Sequence, residues 1–413
     1  MVYKNFKDYE DYYEERKLYE FDKCTKCDGI RELIETEVYY TIGDKSLYFP
    51  SILVMRCEKC GDEVLPEYTK EIIDGAYRNM LAENQTRGMF TPKEYAKKFK
   101  YCENENYIYD HRDYYNIPGL RYDEEHGTEG FLTPVYFEKR ALVHFINVPE
   151  YNVDIFSESY GQIAKANLEG VYEYDWVIPF GFNKNGKMVM WLGDIDSMDP
   201  ISRGIIKPFN IESDHKLMSS EFYQAQMNCI FSDPITEKQI VLCKKQFIEN
   251  VKKKHGIDLS HLVEECEEHE AKINRPVVFS EQSVNGVINA FDKVLVEGFN
   301  VKALKELYEK LYSEDERTAG YKDWASIKFL ESLIDKWCMG MAVDVKTLIS
   351  PLYVLHDYRI YLDHLLSNDK RKARVDNIVK TLGVTDFSDQ EKIYYEEISR
   401  LKSLFQTLVV LSE

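Results

Sequence analysis

The amino-acid sequence predicts an α+β multi-domain protein with three structural parts. Two Cys-x-x-Cys pairs near the N-terminus flank two runs of β-branched and aromatic residues, which are typical of a β-hairpin. Strand-like and helix-like runs follow one another over residues 132–276, and they indicate a central mixed α+β domain. Over residues 280–413 the apolar positions follow the helical period, which predicts a C-terminal four-helix bundle. A chain of 413 residues is long enough for two or three such domains.

The four N-terminal cysteines have the spacing of a zinc ribbon. In each pair the two intervening residues allow both sulfur atoms to reach one tetrahedral ion, at about 2.3 Å each. Gly61 directly follows the second pair and permits the tight turn of a zinc knuckle. We therefore expect one structural Zn²⁺ ion bound by Cys24, Cys27, Cys57 and Cys60, since four thiolates leave no coordination position for water. Two disulfides or unconnected cysteines are the alternative.

This N-terminal stretch resembles the YgiT/MqsA-type zinc finger of antitoxin-like proteins over about residues 20–85. The resemblance rests on Cys24–Cys27, on the predicted strands Ile34–Ile42 and Leu47–Met55, and on the Cys-Glu-Lys-Cys-Gly-Asp-Glu-Val run of Cys57–Val64. In MqsA a helix-turn-helix DNA-binding domain follows the zinc finger. No second helix of recognition type follows here, so the resemblance does not extend to DNA binding.

The predicted first domain covers residues 1–99. Aromatic residues recur at spacings of three and four in residues 1–22, which predicts an amphipathic leader helix that packs on the rest of the protein. A helix is predicted over Tyr68–Ala82. A capping box at Thr91-Pro92-Lys93-Glu94 predicts a second, short helix over Pro92–Phe99.

Residues 100–131 have no clear period and many Asn, Asp and Gly residues, which predicts a connecting loop. We expect His111 and His126 in this loop to be surface histidines.

The sequence does not indicate a role for the α+β domain of residues 132–276. Its predicted elements include a helix, a strand and a hairpin. The helix is predicted over Val135–Phe145 and the strand over Asn152–Phe156. The hairpin is predicted over Trp176–Leu192 with an Asn-Gly turn.

Three aspartates in the central domain form a candidate metal site. Asp194, Asp196 and Asp199 follow the predicted hairpin, where carboxylates could hold a divalent cation as in a nuclease or phosphotransferase. The alternative is that they cap and turn the chain before Pro200. We favour the capping interpretation, because no second acidic cluster of matching spacing accompanies them.

The four bundle helices are predicted over Val284–Tyr312, Trp324–Gly340, Val345–Ser367 and Asp389–Leu411. The third carries ionisable residues among apolar ones, and such groups are costly to bury unless they are paired. His356, Arg359 and Asp363 lie at positions i, i+3 and i+7 and so share one face. His364 lies at a different angle unless the helix ends there. A catalytic site and a core network that fixes the bundle register are both compatible with this pattern.

Arg359 and His364, near the end of the third helix, resemble the Arg-x4–6-His motif of the HEPN family, over about residues 283–413. HEPN domains act in toxin–antitoxin, abortive-infection and antiviral systems, typically as metal-independent endoribonucleases with a site formed across a dimer. The resemblance implies that His364 acts as general base or acid on the ribose 2′-OH and that Arg359 stabilises charge on the phosphate. His356 and Asp363 complete the set of candidate catalytic residues.

Net charge limits the possible partners. The chain carries a formal charge of −19, which argues against broad nucleic-acid binding but allows a local basic site. The densest basic cluster follows the third helix and is the predicted RNA-binding segment: Lys370, Arg371, Lys372 and Arg374. No apolar run reaches the roughly 20 residues of a membrane span, and the acidic N-terminus does not resemble a signal peptide. We expect a cytoplasmic protein that does not bind membranes.

Three functional hypotheses follow. The first is a metal-independent endoribonuclease of a prokaryotic toxin or anti-phage defence system, with a zinc-ribbon regulatory region and a homodimer formed through the C-terminal bundle. A protein trigger or cognate regulator would control it. The second is a non-enzymatic, antitoxin-like interaction or sensor protein with a helical dimerisation module. The third is a metal-dependent enzyme that uses Asp194 and Asp196.

Overall fold

The computed structural model describes residues 2–16, 22–91, 97–118, 127–167 and 173–413. The protein is mixed α/β, and its contacts divide it into two compact units, Met1–Asp233 and Pro234–Glu413. Most of the predicted helix over Pro92–Phe99, as well as His126, lies outside the described residues.

The first unit begins with a five-stranded sheet. Its strands are β1 (Val2–Phe6), β2 (Arg31–Ile42), β3 (Lys45–Cys57), β4 (Glu63–Val64) and β5 (Arg87–Met89). The predicted hairpin is confirmed: β2 and β3 pair antiparallel around a turn at Gly43, whose φ of +60° favours glycine. The predicted helix over Tyr68–Ala82 is also confirmed, as α2 (Glu67–Ala82).

The predicted leader helix is wrong for the first residues of the chain. Residues 2–6 form β1, which pairs in parallel with β2, and only Tyr9–Arg16 form a helix, α1. Val2 and Phe6 are buried in the sheet core, and Tyr3 stacks on Tyr39 of β2 at 5.2 Å between ring centroids. Tertiary pairing with β2 therefore outweighs the helical spacing of these aromatic residues.

A second, six-stranded antiparallel sheet has the order β11-β6-β10-β9-β8-β7. Its strands are β6 (Pro134–Glu138), β7 (Tyr151–Ser157), β8 (Tyr160–Ala166), β9 (Tyr174–Phe182), β10 (Lys187–Trp191) and β11 (Asn210–Ile211). The other helices of this unit are α3 (His111–Tyr115), α4 (Leu142–Asn147), α5 (Leu192–Asp196), α6 (Pro200–Ile206) and α7 (Glu221–Asn228). The strand at residues 152–156 and the hairpin at residues 176–192 are confirmed.

The predicted helix over Val135–Phe145 is wrong, because its first residues are strand β6. Pro134–Phe137 are buried between β10 and β11, and a fully buried strand presents a continuous apolar run that periodicity cannot distinguish from a buried helix. Only the later part of the run is helical, as α4.

One apolar core joins the two sheets. Leu33 and Met55 of the first sheet belong to the same buried cluster as Tyr136 and Trp191 of the second. Residues 100–131 contribute helix α3, with buried side chains, so this segment is more than the predicted connecting loop. The contacts thus place residues 1–233 in one unit, whereas the sequence suggested boundaries at 99 and 131.

The second unit is helical and larger than the predicted bundle of residues 280–413. Its helices are α8 (Thr236–His255), α9 (Val263–Glu270), α10 (Glu281–Asp292), α11 (Val301–Leu311), α12 (Ser326–Trp337), α13 (Val345–Asp363), α14 (Asn368–Leu382) and α15 (Gln390–Ser412). Ile240 and Phe247 of α8 share a core with Leu404 and Leu408 of α15. The predicted boundary near residue 276 therefore separates α8 from the helices on which it packs.

The single predicted helix over Val284–Tyr312 is also wrong. Helix α10 runs into one π-helical segment, Lys293–Glu297, and α11 starts afresh after Asn300, whose side chain caps it by accepting from the backbone N–H groups of Lys302 and Ala303. The apolar spacing continues across the break, so the pattern alone could not reveal it.

The basic cluster lies on α14, a helix that the periodicity did not reveal. Only Ile378 and Leu382 of this helix are buried, so its apolar stripe is too short to recognise. The third predicted helix ends at Asp363 and not at Ser367, which leaves His364 as its C-cap. None of the helices in the described residues is long and apolar enough to cross a membrane.

Candidate functional site

The four predicted zinc ligands come together. The sulfur atoms of Cys24, Cys27, Cys57 and Cys60 all lie within 4.8 Å of one another. The first pair lies in the turn that leads into β2, and Cys57 is the last residue of β3. Two tight turns shape the cluster: the Asp28 N–H donates to the Cys24 carbonyl at 2.9 Å, and the Gly61 N–H donates to the Cys57 carbonyl at 3.0 Å. Four close cysteines in this arrangement could hold a metal ion, consistent with zinc.

Neighbouring residues leave room for the cluster and connect its two turns. A Cβ atom on Gly29 would lie 2.9 Å from the Cys57 sulfur, so glycine permits the close approach of the two pairs. Asp62 accepts from Lys26 at 2.6 Å and from Arg31 at 3.1 Å. The hydrogen bond from Lys26 lowers the pKa of the Asp62 carboxyl group. Because Lys26 lies in the first cysteine turn and Asp62 follows the second, the same hydrogen bond connects the two turns.

The predicted catalytic face of α13 meets a buried carboxylate that the sequence did not single out. Asp292, the last residue of α10, is completely buried. Its Oδ1 atom lies 3.0 Å from Nδ1 of His356, and its Oδ2 atom lies 3.3 Å from Nη1 of Arg359. The same Arg359 nitrogen lies 3.1 Å from Glu297 in the π-helical segment. His356 and Arg359 therefore share one carboxylate at the α10–α13 interface.

Asp292 orients the His356 ring and changes its proton affinity. The hydrogen bond to Asp292 is the main reason why the pKa of His356 is raised. Because Nδ1 faces the carboxylate, Nε2 is the nitrogen left for solvent or substrate, and the side chain is 40% exposed. Such a histidine is suited to exchange a proton with a bound substrate.

Polar atoms line the same interface beyond the histidine. Asn289 of α10 donates to Asp363 of α13, and its own Oδ1 atom is buried without a hydrogen-bond partner among the described residues. The buried Oδ1 atom of Asn285 and the Nε atom of Arg359 also have no such partner. Unsatisfied buried groups are uncommon in a helical core and often mark a site for water or ligand.

His364 lies apart from this network. It follows the last residue of α13, donates its backbone N–H to Ile360 at 3.1 Å, and its side chain is exposed without a hydrogen bond to the described residues. The structure thus brings together three of the four predicted catalytic residues, adds Asp292 and Glu297, and places His364 at the helix end.

Half of the predicted RNA-binding cluster is already paired with acidic residues. Arg371 donates to the hydroxyl of Tyr361 at 2.9 Å and lies 3.4 Å from Glu281. Arg374 forms an ion pair with Asp357. Lys370 and Lys372 are exposed on α14. The local positive charge is therefore smaller than the sequence suggests.

Sequence reasoning missed a buried Asp–His pair in the first unit. Nδ1 of His215 lies 2.6 Å from Oδ1 of Asp113, and the Ser213 hydroxyl donates to Oδ2 of the same aspartate at 2.5 Å. The aspartate and histidine are 102 positions apart, so no local motif could have revealed the pair. His111 next to them is buried, so the prediction of a surface histidine is wrong.

This pair predicts a pH dependence of stability for the first unit. Burial is the largest single influence and lowers the pKa of His215, but the charge and hydrogen bond of Asp113 together with the charge of Asp110 raise it, and the net shift is upward. The resulting stabilisation is complete below the unfolded pKa of about 6.5 and is lost as the pH rises through the higher folded value. We expect the thermal midpoint of the first unit to decrease as the pH is raised from about 6 to about 9. The decrease should be smaller in His215→Gln. Equal falls in both proteins would contradict this, and exposed His144→Gln is the control.

Of the three central aspartates, Asp199 caps a helix and the other two make different contacts. Asp199 accepts from the backbone N–H groups of Ile201 and Ser202 at the start of α6, which confirms its predicted capping role. Asp196 accepts from the backbone N–H of Cys102 at 2.8 Å. Burial raises the pKa of Asp194 to about 6. Among the described residues, these carboxylates do not form a metal-binding cluster.

The fold and the sites define a mixed α/β protein with a four-cysteine cluster that could hold a metal ion. Comparisons with protein-family models, with curated proteins and with solved structures found no match, so no relative supports the MqsA-type or HEPN resemblance.

Proposed function

We propose that the chain is an endoribonuclease that needs no catalytic metal, with its site at the α10–α13 interface and a structural zinc ion in the four-cysteine cluster. The observation that supports this most is the Asp292 carboxylate shared by His356 and Arg359. It combines an oriented imidazole with a guanidinium, which are the groups that proton transfer and phosphate stabilisation require.

In this mechanism the site extends along α13 from His356 to the C-cap, where His364 accepts the proton of a ribose 2′-OH, and the 2′ oxygen attacks the adjacent phosphorus. The bond from phosphorus to the 5′ oxygen breaks, which leaves a 2′,3′-cyclic phosphate. His356, whose pKa is raised by its hydrogen bond to Asp292, acts as the general acid and gives a proton to the leaving 5′ oxygen. Arg359 has donors beyond the one that faces Asp292 and Glu297, and these stabilise the charge on the phosphate oxygens. Asp363 holds Asn289 beside the site.

We also propose a cellular location and a mode of regulation for this activity. The protein acts in the cytoplasm of a prokaryote as part of a toxin or antiviral defence system, in response to a protein trigger or cognate regulator. Its zinc-containing unit either restrains the ribonuclease activity or senses the trigger, and its helical unit forms the homodimer. Exposed Lys370 and Lys372 on α14 contact the RNA backbone.

A second candidate function is non-enzymatic. The ion pairs of Arg359, Arg371 and Arg374 with acidic residues favour a scaffold in which the polar interface fixes helix register. In that case the helical unit is a dimerisation module of an antitoxin-like interaction or sensor protein.

Product analysis distinguishes the two candidates. We expect purified full-length protein, in EDTA and with its zinc content checked, to cleave RNA and to leave 2′,3′-cyclic phosphate and 5′-hydroxyl ends. An oligonucleotide with 2′-deoxyribose throughout should resist cleavage. Cleavage of the deoxy substrate at the same rate, or cleavage that EDTA stops while zinc remains bound, would contradict the 2′-OH mechanism. Absence of cleavage under all activating conditions tried would favour the scaffold.

A further inference from the structure

A cavity of about 290 Å³ lies in the second unit, and its lining includes none of the residues named above at the α10–α13 interface. It is lined by residues of α8 and α9, by the segment 258–261 that connects them, and by Gly298. Its volume is at the lower end of the range for small-molecule sites, so it suits a ligand of few atoms.

The amine of Lys244 is buried in the wall of this cavity. Nζ donates to the Gly298 carbonyl at 3.3 Å and lies 5.1 Å from the centre of the Phe299 ring. Among the described residues, no carboxylate lies within ion-pair distance of it. By contrast, Lys245 is paired with Glu270 at 2.6 Å, and Lys252, also in the lining, is paired with Asp258.

An unpaired buried ammonium group is costly, so the surroundings of Lys244 favour the neutral amine. Burial lowers the pKa of Lys244, and the positive charge of Lys245 lowers it further, while Cys266 and Glu270 oppose the shift. A neutral amine is a nucleophile at ordinary pH, whereas the ammonium form is not.

Gly298 keeps space open beside this amine. A Cβ atom there would lie 2.9 Å from Nζ of Lys244, 2.9 Å from the sulfur of Cys266, and 2.5 Å from the carbonyl oxygen of Val294. The amine and the thiol therefore both lie close to a position where any side chain would collide with them.

We propose that Lys244 forms a Schiff base with a small aldehyde or ketone that enters this cavity. The amine nitrogen attacks the carbonyl carbon, and a C–N bond forms. The carbonyl oxygen then leaves as water with the two amine protons, which gives an imine. This site is independent of the proposed ribonuclease function.

Reductive trapping tests the proposal. Full-length protein is incubated near neutral pH with propionaldehyde and sodium cyanoborohydride, which reduces an imine to a stable secondary amine, and labelling is followed by peptide mass spectrometry. We expect Lys244 to be alkylated severalfold faster than Lys245, because a lowered pKa leaves a larger fraction of the amine neutral near neutral pH. Labelling of Lys244 that is no faster than that of Lys245, or that occurs only in urea, would overturn the proposal.

A variant tests the geometry. In Gly298→Ala the added methyl group lies against both the amine and the thiol, and we expect labelling of Lys244 to slow severalfold while Lys245 is labelled as before. Unchanged labelling of Lys244 would contradict the geometry. If this variant does not fold, the comparison of Lys244 with Lys245 in the natural protein still decides the proposal.

Discussion

Replacement of Cys57 by serine is expected to abolish zinc binding and to unfold the first unit while the second unit stays folded. Structural zinc contributes on the order of 10 kcal/mol to the folding of zinc-finger peptides, comparable with the whole stability of a domain. Because the first sheet shares its core with the second, the loss extends beyond the ribbon. Zinc content by elemental analysis, and hydrogen exchange of peptides from β3 and α15, measure the two effects.

Cys229→Ser is the matched control, because Cys229 is exposed and lies outside the cysteine cluster. It should keep one zinc ion per chain and normal exchange protection in both units. A natural protein that contains no metal and yet is folded, or a Cys57→Ser protein as protected in β3 as the natural one, would show that the cluster is not a structural metal site.

Replacement of Arg359 by alanine should strongly destabilise the second unit. The change leaves the buried carboxylate of Asp292 with His356 as its remaining charged partner. Loss of one partner of a buried ion pair typically costs about 3–5 kcal/mol, and the partial exposure of Arg359 places the expected value near the lower end. Urea unfolding followed by circular dichroism measures this change, which should appear in the midpoint with little change in slope.

The control is Arg371→Ala, which removes an arginine whose partner Glu281 is exposed and should change stability little. A double-mutant cycle with Asp292→Asn separates the pair from other effects. If the neutral side chain at position 292 does not reduce the cost of Arg359→Ala, the stability of the unit does not depend on this ion pair. A stable Arg359→Ala protein would indicate that solvent satisfies Asp292.

Residue spacing predicted the parts of the fold that depend on local patterns. The Cys-x-x-Cys pairs specify the cysteine cluster, and the Asn-Gly dipeptide specifies the turn between β9 and β10, because each motif acts over a few residues. Strand β1 could not be predicted in this way, because its parallel pairing with β2 joins segments about thirty-five residues apart. The break between α10 and α11 is hidden for a different reason, since apolar residues continue through it.

The candidate site was predictable in part. Helical spacing placed His356, Arg359 and Asp363 on one face of α13, and they do meet α10. The residue that joins them, Asp292, lies in an apolar run of another helix, where one carboxylate gives no signal by itself. The Asp113–His215 pair and the surroundings of Lys244 likewise depend on contacts between distant segments, which a single sequence does not reveal.

The most direct test of the ribonuclease proposal is the rate of RNA cleavage by His356→Ala relative to the natural protein. We expect at least about a hundredfold loss, as is typical when a general acid is removed, measured at a temperature at which circular dichroism shows the variant to be fully folded. His255→Ala, which changes a histidine of α8, should cleave normally. Cleavage by His356→Ala at the natural rate would contradict the assignment of this histidine, and with it the proposed site.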